Sequence, residues 1–238
     1  IIGGQKIDRY SIYVDRKRSL AKEWDLGYGM SYRFAKDRDF QTYDKVTGDI
    51  PTENTDSRLR EQTANVYVSL SKNYATGTSV SISATGEYYT IGNYRKWAVY
   101  PQASLTYVKS SEHLFQFSLS TDKTYPGYWD MQSSVSHLNG YTELWGTPGL
   151  KPSTAYNLNG NYIWKQKYIF GLFFMHTSDF FVQTGYQSTD RLALIYKNTN
   201  WNYMQMWGTN VILPFKAGNW LDLRLTLVGM QVHQRCDD

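Results

Sequence analysis

Along most of the chain, oily and polar side chains alternate one by one. In "EWDLGYGMSYRF", Trp24, Leu26, Tyr28, Met30, Tyr32 and Phe34 fall on one side, with Asp25, Gly27, Gly29, Ser31 and Arg33 on the other. A period of two marks a β-strand with unlike faces. The rows recur in "ANVYVSLS", as Ala64, Val66, Val68 and Leu70 with Tyr67 out of step, and in "SVSISATGEYY", as Val80, Ile82, Ala84 and Tyr88. They continue through Phe115, Phe117 and Leu119, and through Tyr156, Leu158, Gly160, Tyr162 and Trp164, which oppose Asn157, Asn159 and Asn161. Near the end Leu221, Leu223, Leu225 and Leu227 oppose Asp222, Arg224 and Thr226. An Asp and an Arg on one face place that face against water.

The connections alternate as well. Short turns fall at 16–22, 73–77, 109–112, 165–167 and 216–219, and longer polar excursions at 37–59, 90–96, 123–153 and 183–200. Short turns at one end and long loops at the other are the habit of outer-membrane barrels, and strands of about 9–11 tilted residues cross a bilayer. The pattern therefore predicts an all-β fold: an antiparallel up-and-down transmembrane β-barrel segment of about ten strands, the first descending and the last ascending. Residues 1–238 would form one such domain, with 123–153 as a long external loop. Tyr88, Tyr89, Trp97, Tyr100, Tyr168, Trp201 and Trp220 fall near strand ends, where amphipathic rings suit the headgroup level. A second architecture fits the same rows. In a soluble β-sandwich, a binding or structural module on the cell surface, the oily rows would pack against each other.

Composition adds little against either. Mean hydropathy is -0.54, but alternation averages a barrel's lipid face with its wet face. No run of about 18 apolar residues exists to span a bilayer as a helix. The net charge of +4, from 25 basic and 21 acidic residues, is scattered, which argues against a nucleic-acid partner. The densest basic run holds Arg16, Lys17, Arg18 and Lys22 and reads as a solvated turn. Ile1 opens no signal peptide, so a mature chain or a piece of a longer one is expected.

Between residues 144 and 156, "LWGTPGLKPSTAY" sets Pro148 and Pro152 around Gly149, a stiff approach to the strand that follows. The longer stretch "NGYTELWGTPGLKPSTAYNLNGNYIWKQKY" resembles the part of TonB-dependent outer-membrane receptors where a G-N-P-x-L-K-P-E segment leads from a long external loop into a strand. Gly146, Pro148, Leu150, Lys151 and Pro152 match, while Thr147 stands for the usual Asn and Ser153 for the usual Glu. "TDKTYPGYWDM" is similar to the family's R-P-x-Y-x-x-L segment through Pro126 and Tyr128, and "VYPQASLTY" to its F-P-x-x-x-L-x-Y strand start. Order and spacing resemble the outer-membrane β-barrel family common in Bacteroidetes, over most of residues 60–234.

The resemblance implies a nutrient uptake receptor rather than an enzyme, with no cofactor. Its implied partners are outer-membrane lipid, a nutrient ligand, a surface lipoprotein, and a TonB-type energising protein acting through a plug domain. A full receptor of that kind looks like a roughly 22-stranded plugged barrel. This chain shows no recognisable plug, TonB box or terminal aromatic, so a segment of the barrel wall is expected. The two prolines would then fix the loop base and the register of the strand starting near Thr154.

Few residues announce chemistry. His113, His137, His176 and His233 are dispersed without ligand spacing, and the one cysteine, Cys236, permits neither an intrachain disulfide nor a metal cluster. No nucleophile elbow or phosphate loop appears. The candidate binding residues are aromatic: Tyr125, Tyr128, Trp129, Tyr141 and Trp145 crowd the 123–153 loop and suit stacking on sugars or other flat ligands.

Overall fold

The computed structural model of the chain describes residues 2–43, 54–218 and 220–237. Ten long antiparallel strands follow one another: β1 (Ile2–Ser19), β2 (Trp24–Thr42), β3 (Thr55–Asn73), β4 (Ser79–Ile91), β5 (Tyr94–Ser110), β6 (His113–Thr124), β9 (Ser153–Trp164), β10 (Tyr168–Gln187), β11 (Leu194–Ala217) and β12 (Leu221–Arg235). Two short strands, β7 (Val135–Asn139) and β8 (Thr142–Trp145), form a hairpin between β6 and β9. The sheet runs β1-β2-β3-β4-β5-β6-β9-β10-β11, and β11 carries both β12 and, farther along, β8. Among the described residues β1 and β12 each have one neighbour, so the sheet is open.

Register follows the rows read from sequence. Leu26 faces Leu70, Tyr28 faces Val68, Met30 faces Val66 and Tyr32 faces Ala64 across β2 and β3. Directly opposed residues share a face, so these make one apolar band seven residues tall, which Trp24 and Phe34 at its ends extend to eleven, the span that a tilted strand needs to cross hydrocarbon. The band is exposed: Met30 is 61%, Val66 65% and Leu172 69% accessible. The opposite face is polar and covered, with Glu61 at 6% and Thr63 at 2%. The total accessible area is 15911 Å². A compact monomer of 27.6 kDa exposes about 11,000 Å². One layer of sheet with its oily face outward accounts for the excess, and the sandwich, whose rows would meet in a dry middle, is not the fold.

Several boundaries differ from expectation. The polar run 90–96 is no long loop: Ile91 pairs with Tyr94 around a two-residue turn in which Gly92 has φ 55°. Gly at the first central position suits such a hairpin. Likewise 183–200 is mostly strand, with only 188–193 between β10 and β11. Strands also run to Thr42 and from Thr55, and the rest of that excursion, 44–53, lies outside the described residues. The strands overshoot the bilayer, and beyond it neither face needs to be oily, so alternation fades while the ladder continues.

The aromatic belt is corrected too. Trp97 and Trp220 are exposed, and Trp97 packs on Tyr88 at 4.6 Å between ring centroids. Tyr89 and Tyr100 instead face inward and are buried, because the segment after β6 folds over them.

Candidate functional site

Residues 125–152 form a strap laid across the polar face, with Met131, Leu150 and Pro152 buried and Leu138 and Tyr141 exposed. A 3-10 turn at Trp129–Met131 follows Pro126 and Gly127, and the Gly127 amide donates to Asp130 Oδ2 at 3.2 Å. Met131 and Leu150 pack with Tyr89 and Ile91 of β4 into a small apolar cluster.

The base of the strap explains the Gly and Pro pattern. A side chain at Gly146 would collide with the Gln132 carbonyl, so only glycine fits there. Thr147 donates its amide to the Asp130 carbonyl at 2.6 Å, and the turn is closed by Leu150 N–H to Thr147 O at 3.3 Å with Gly149 at φ 84°. Leu150 and Pro152 are buried. Asn200 of β11 grips the backbone of Lys151 from both sides: its Oδ1 accepts from Lys151 N–H at 2.8 Å and its Nδ2 donates to Lys151 O at 3.0 Å. The strand that follows starts at Ser153, one residue from the expected Thr154.

Two inward carboxylates hold the other bank. Tyr125 donates its hydroxyl to Glu87 Oε2 at 2.6 Å, and Tyr128 donates to Glu61. Each carboxylate also has a cation: Arg33 lies 3.4 Å from Glu61, and Lys123 pairs with Glu87. The Lys123 ammonium further sits 4.4 Å from the Tyr89 ring centroid and 4.7 Å from that of Tyr125. Burial, reinforced by the Glu61 carboxylate, pushes the Tyr128 hydroxyl up to about 12, and burial beside Glu87 raises that of Tyr125 as well. Both phenols therefore remain donors through the physiological range.

The five predicted aromatics are not gathered in one place. Tyr125 and Tyr128 turn inward as anchors, while Trp129 stays half exposed over a cavity of about 430 Å³ that Gln5, Arg9, Arg33, Glu61 and Tyr128 also line. Tyr141 and Trp145 lie on the β7–β8 hairpin, at the β11 bank. There the Tyr141 carbonyl accepts from Leu194 N–H at 2.7 Å, and Trp145 Nε1–H donates to Glu143 at 2.8 Å. A larger hollow of about 520 Å³ lies on the outward face among Phe115, Phe117, Tyr162, Phe170 and Leu172, as a groove in the lipid-facing band. Among the described residues no three His, Cys, Asp or Glu side chains are grouped to hold a metal ion. The residues that sequence missed are Asn200, Glu61, Glu87 and Arg33. Only Glu87 and Arg33 carried a signal, as charges on the polar side of an otherwise oily strand.

The chain matches the family described as "Outer membrane protein beta-barrel family" over residues 2–238. No curated protein sequence matches it. Among solved structures it is similar to the siderophore receptor PirA of Pseudomonas aeruginosa, with a TM-score of 0.66 and 11% identity over 98% of this chain and 44% of the receptor. It is similar to the FrpB iron transporter of Neisseria meningitidis, with 0.59 and 11% over 97% and 36%. A mutant of the ferric enterobactin receptor of Pseudomonas aeruginosa in complex with enterobactin gives 0.62 and 11% over 95% and 36%. At such identity the likeness establishes the fold, and the chain spans under half the length of each.

Proposed function

The chain belongs to the outer membrane protein beta-barrel family, and from that premise we propose that residues 1–238 are a single barrel-wall section of an outer-membrane receptor that takes up a nutrient. The inverted arrangement of faces carries this reading: oily rows outward, carboxylates and amides inward, and an aromatic strap over the inner face. Its solved neighbours are receptors and transporters, which supports binding and passage rather than catalysis. Two of them are named for siderophores or enterobactin, which makes an iron chelate the first ligand class to test. Trp129 and Tyr128, with Arg9 beside them, are the contact residues of this proposal, and Tyr141 and Trp145 a second, separate group. A TonB-type protein, coupled through a plug, would energise transport, and a surface lipoprotein would cover the outer end.

The test is uptake of a panel of radiolabelled ferric chelates by cells carrying the full-length protein. The reading expects uptake of at least one to be lost on deleting the gene and on inactivating the energising protein. Uptake unaffected by either deletion, across the panel, refutes it.

A further inference from the structure

Five carboxylates are buried among the described residues: Asp37, Asp39, Glu61, Glu87 and Glu143. Three of them have a cation, Glu61 from Arg33, Glu87 from Lys123 and Glu143 from Arg191. Among the described residues no cation answers Asp37 or Asp39. These two stand two residues apart on the inward row of β2, a Cα separation of about 7 Å. The Asp39 charge bears on Asp37. Of their four oxygens one is satisfied, Asp37 Oδ1, which accepts from Gln5 Nε2 at 2.9 Å. Asp37 Oδ2 and both Asp39 oxygens are buried without a hydrogen bond.

Two amides beside the pair are in the same condition. Gln132 of the strap is 0% exposed and lies next to Asp39 outside hydrogen-bond geometry, with its Nε2 unpartnered. Gln41, the next residue on the inward row, donates Nε2 to Tyr43 Oη at 2.6 Å and to Val135 O of the strap at 3.4 Å. That leaves Gln41 Oε1 buried and without a partner. A buried polar atom left unpaired is costly, and a charged one most of all. Four orphaned oxygens on three successive inward residues, two of them carboxylates without a counter-charge, are the donors a hard cation takes.

We propose that Asp37 and Asp39 bind a calcium ion, with Gln41 Oε1 as a third protein ligand and water completing the shell. Carboxylates two apart on one strand face can turn toward a shared ion at about 2.3–2.6 Å. Calcium accepts an irregular shell of oxygens, whereas magnesium demands a tight octahedron. The way in is a cavity of about 320 Å³ that Gln5, Gln41, Trp129 and His137 line, and Gln5 stands between it and Asp37. A bound ion offsets the repulsion between the two carboxylates and steadies the strap, whose Gln132 and Val135 rest on Asp39 and Gln41. Calcium binding is measured without uptake, so the site can fail while the uptake proposal stands, and the reverse.

The full-length protein, purified in an uncharged detergent and stripped with EGTA, is titrated with calcium, magnesium or sodium chloride at matched ionic strength. Bound radioactive calcium and the unfolding midpoint are followed. Calcium is expected to bind and to raise the midpoint, and magnesium to raise it far less. Asp37→Asn/Asp39→Asn is expected to bind one calcium fewer per chain and to lose most of the rise. Asp222→Asn, at the other end of the strands, keeps both. In EGTA the double variant should be at least as stable as the parent, because the like charges are gone, and in calcium less stable. Undiminished calcium binding in the double variant, or an equal rise with magnesium or sodium, overturns the site. A parent indifferent to calcium overturns it as well, and lower stability of the double variant in EGTA would then mark a cation of the protein itself as the partner. Should the double variant fail to fold, Asp39→Asn alone must weaken calcium binding at least about tenfold, since ligand charge sets affinity, and unchanged affinity there refutes the site.

Discussion

The strap has two banks, and they hold it by different chemistry. On the β3–β4 bank the contacts are charged: Tyr128 and Tyr125 reach Glu61 and Glu87, each neutralised by Arg33 or Lys123. On the β10–β11 bank they are mostly amides and main chain, Asn200 on Lys151, Asn198 Nδ2 on Asp130 at 2.9 Å, and β8 paired in parallel with Leu194–Lys197, with one ion pair, Arg191 on the buried Glu143 at 2.6 Å. A buried ion pair is costly to break halfway, because the surviving charge has no solvent, whereas a lost neutral hydrogen bond costs less. The first bank rests on two such pairs and is brittle, whereas the second has one, Arg191 on Glu143, beside several amide and main-chain contacts that survive its loss.

Substitutions can break this contrast in graded steps. The largest effect is expected for Lys123→Ala, which strands Glu87; a loss of about 3–5 kcal/mol is the usual scale for a broken buried pair, read from unfolding in detergent. Glu87→Gln combined with Lys123→Ala should recover much of it, since no charge is left behind. Next comes Met30→Arg in the middle of the oily band, at about 2–4 kcal/mol. Lys36→Ala, above the band, should leave stability in detergent nearly unchanged. Asn200→Ala is expected to cost about 1–3 kcal/mol, with faster amide exchange at Lys151 and little change at Tyr125. The smallest effect is Tyr128→Phe, seen mainly through pH. The Tyr128 hydroxyl is raised from 10.0 to about 12, so its stabilising contribution is complete below about 10, the unfolded value, and disappears as pH rises toward about 12. Trp129 emission should report strap release in that window, and Tyr128→Phe should remove that component. An unchanged alkaline transition in the variant would exclude Tyr128 as its source.

Much of the wall was legible because hydrocarbon demands alternation. The turn 165–167 lies between β9 and β10 as expected, and the start of β9 was placed within one residue. Legibility ended where the membrane ends. "FAKDRDFQ" reads as polar coil, yet it is strand as far as Thr42, since out of the bilayer the ladder persists without an oily row. The strap's anchors were hidden for another reason. Asn198 and Asn200 sit in "YKNTNWNY", a run rich in turn-forming residues, and their roles depend on residues 68 and 49 positions earlier, Asp130 and Lys151, folding back onto them. The Gly and Pro pattern revealed a rigid loop base but not what the loop covers.

The central claim is that the Val66 row meets lipid while the Asn65 row meets water. It is tested most directly by placing single cysteines at positions 64 to 71 in a Cys236→Ser background, attaching an environment-sensitive fluorophore, and comparing quenching by brominated lipid with quenching by a water-soluble agent. The account predicts strict alternation, with Ala64, Val66, Val68 and Leu70 positions quenched from lipid and Asn65, Ser69 and Ser71 positions from water. If neither quencher reaches the Val66 and Val68 positions, those rows lie in a dry protein interior and the account is contradicted.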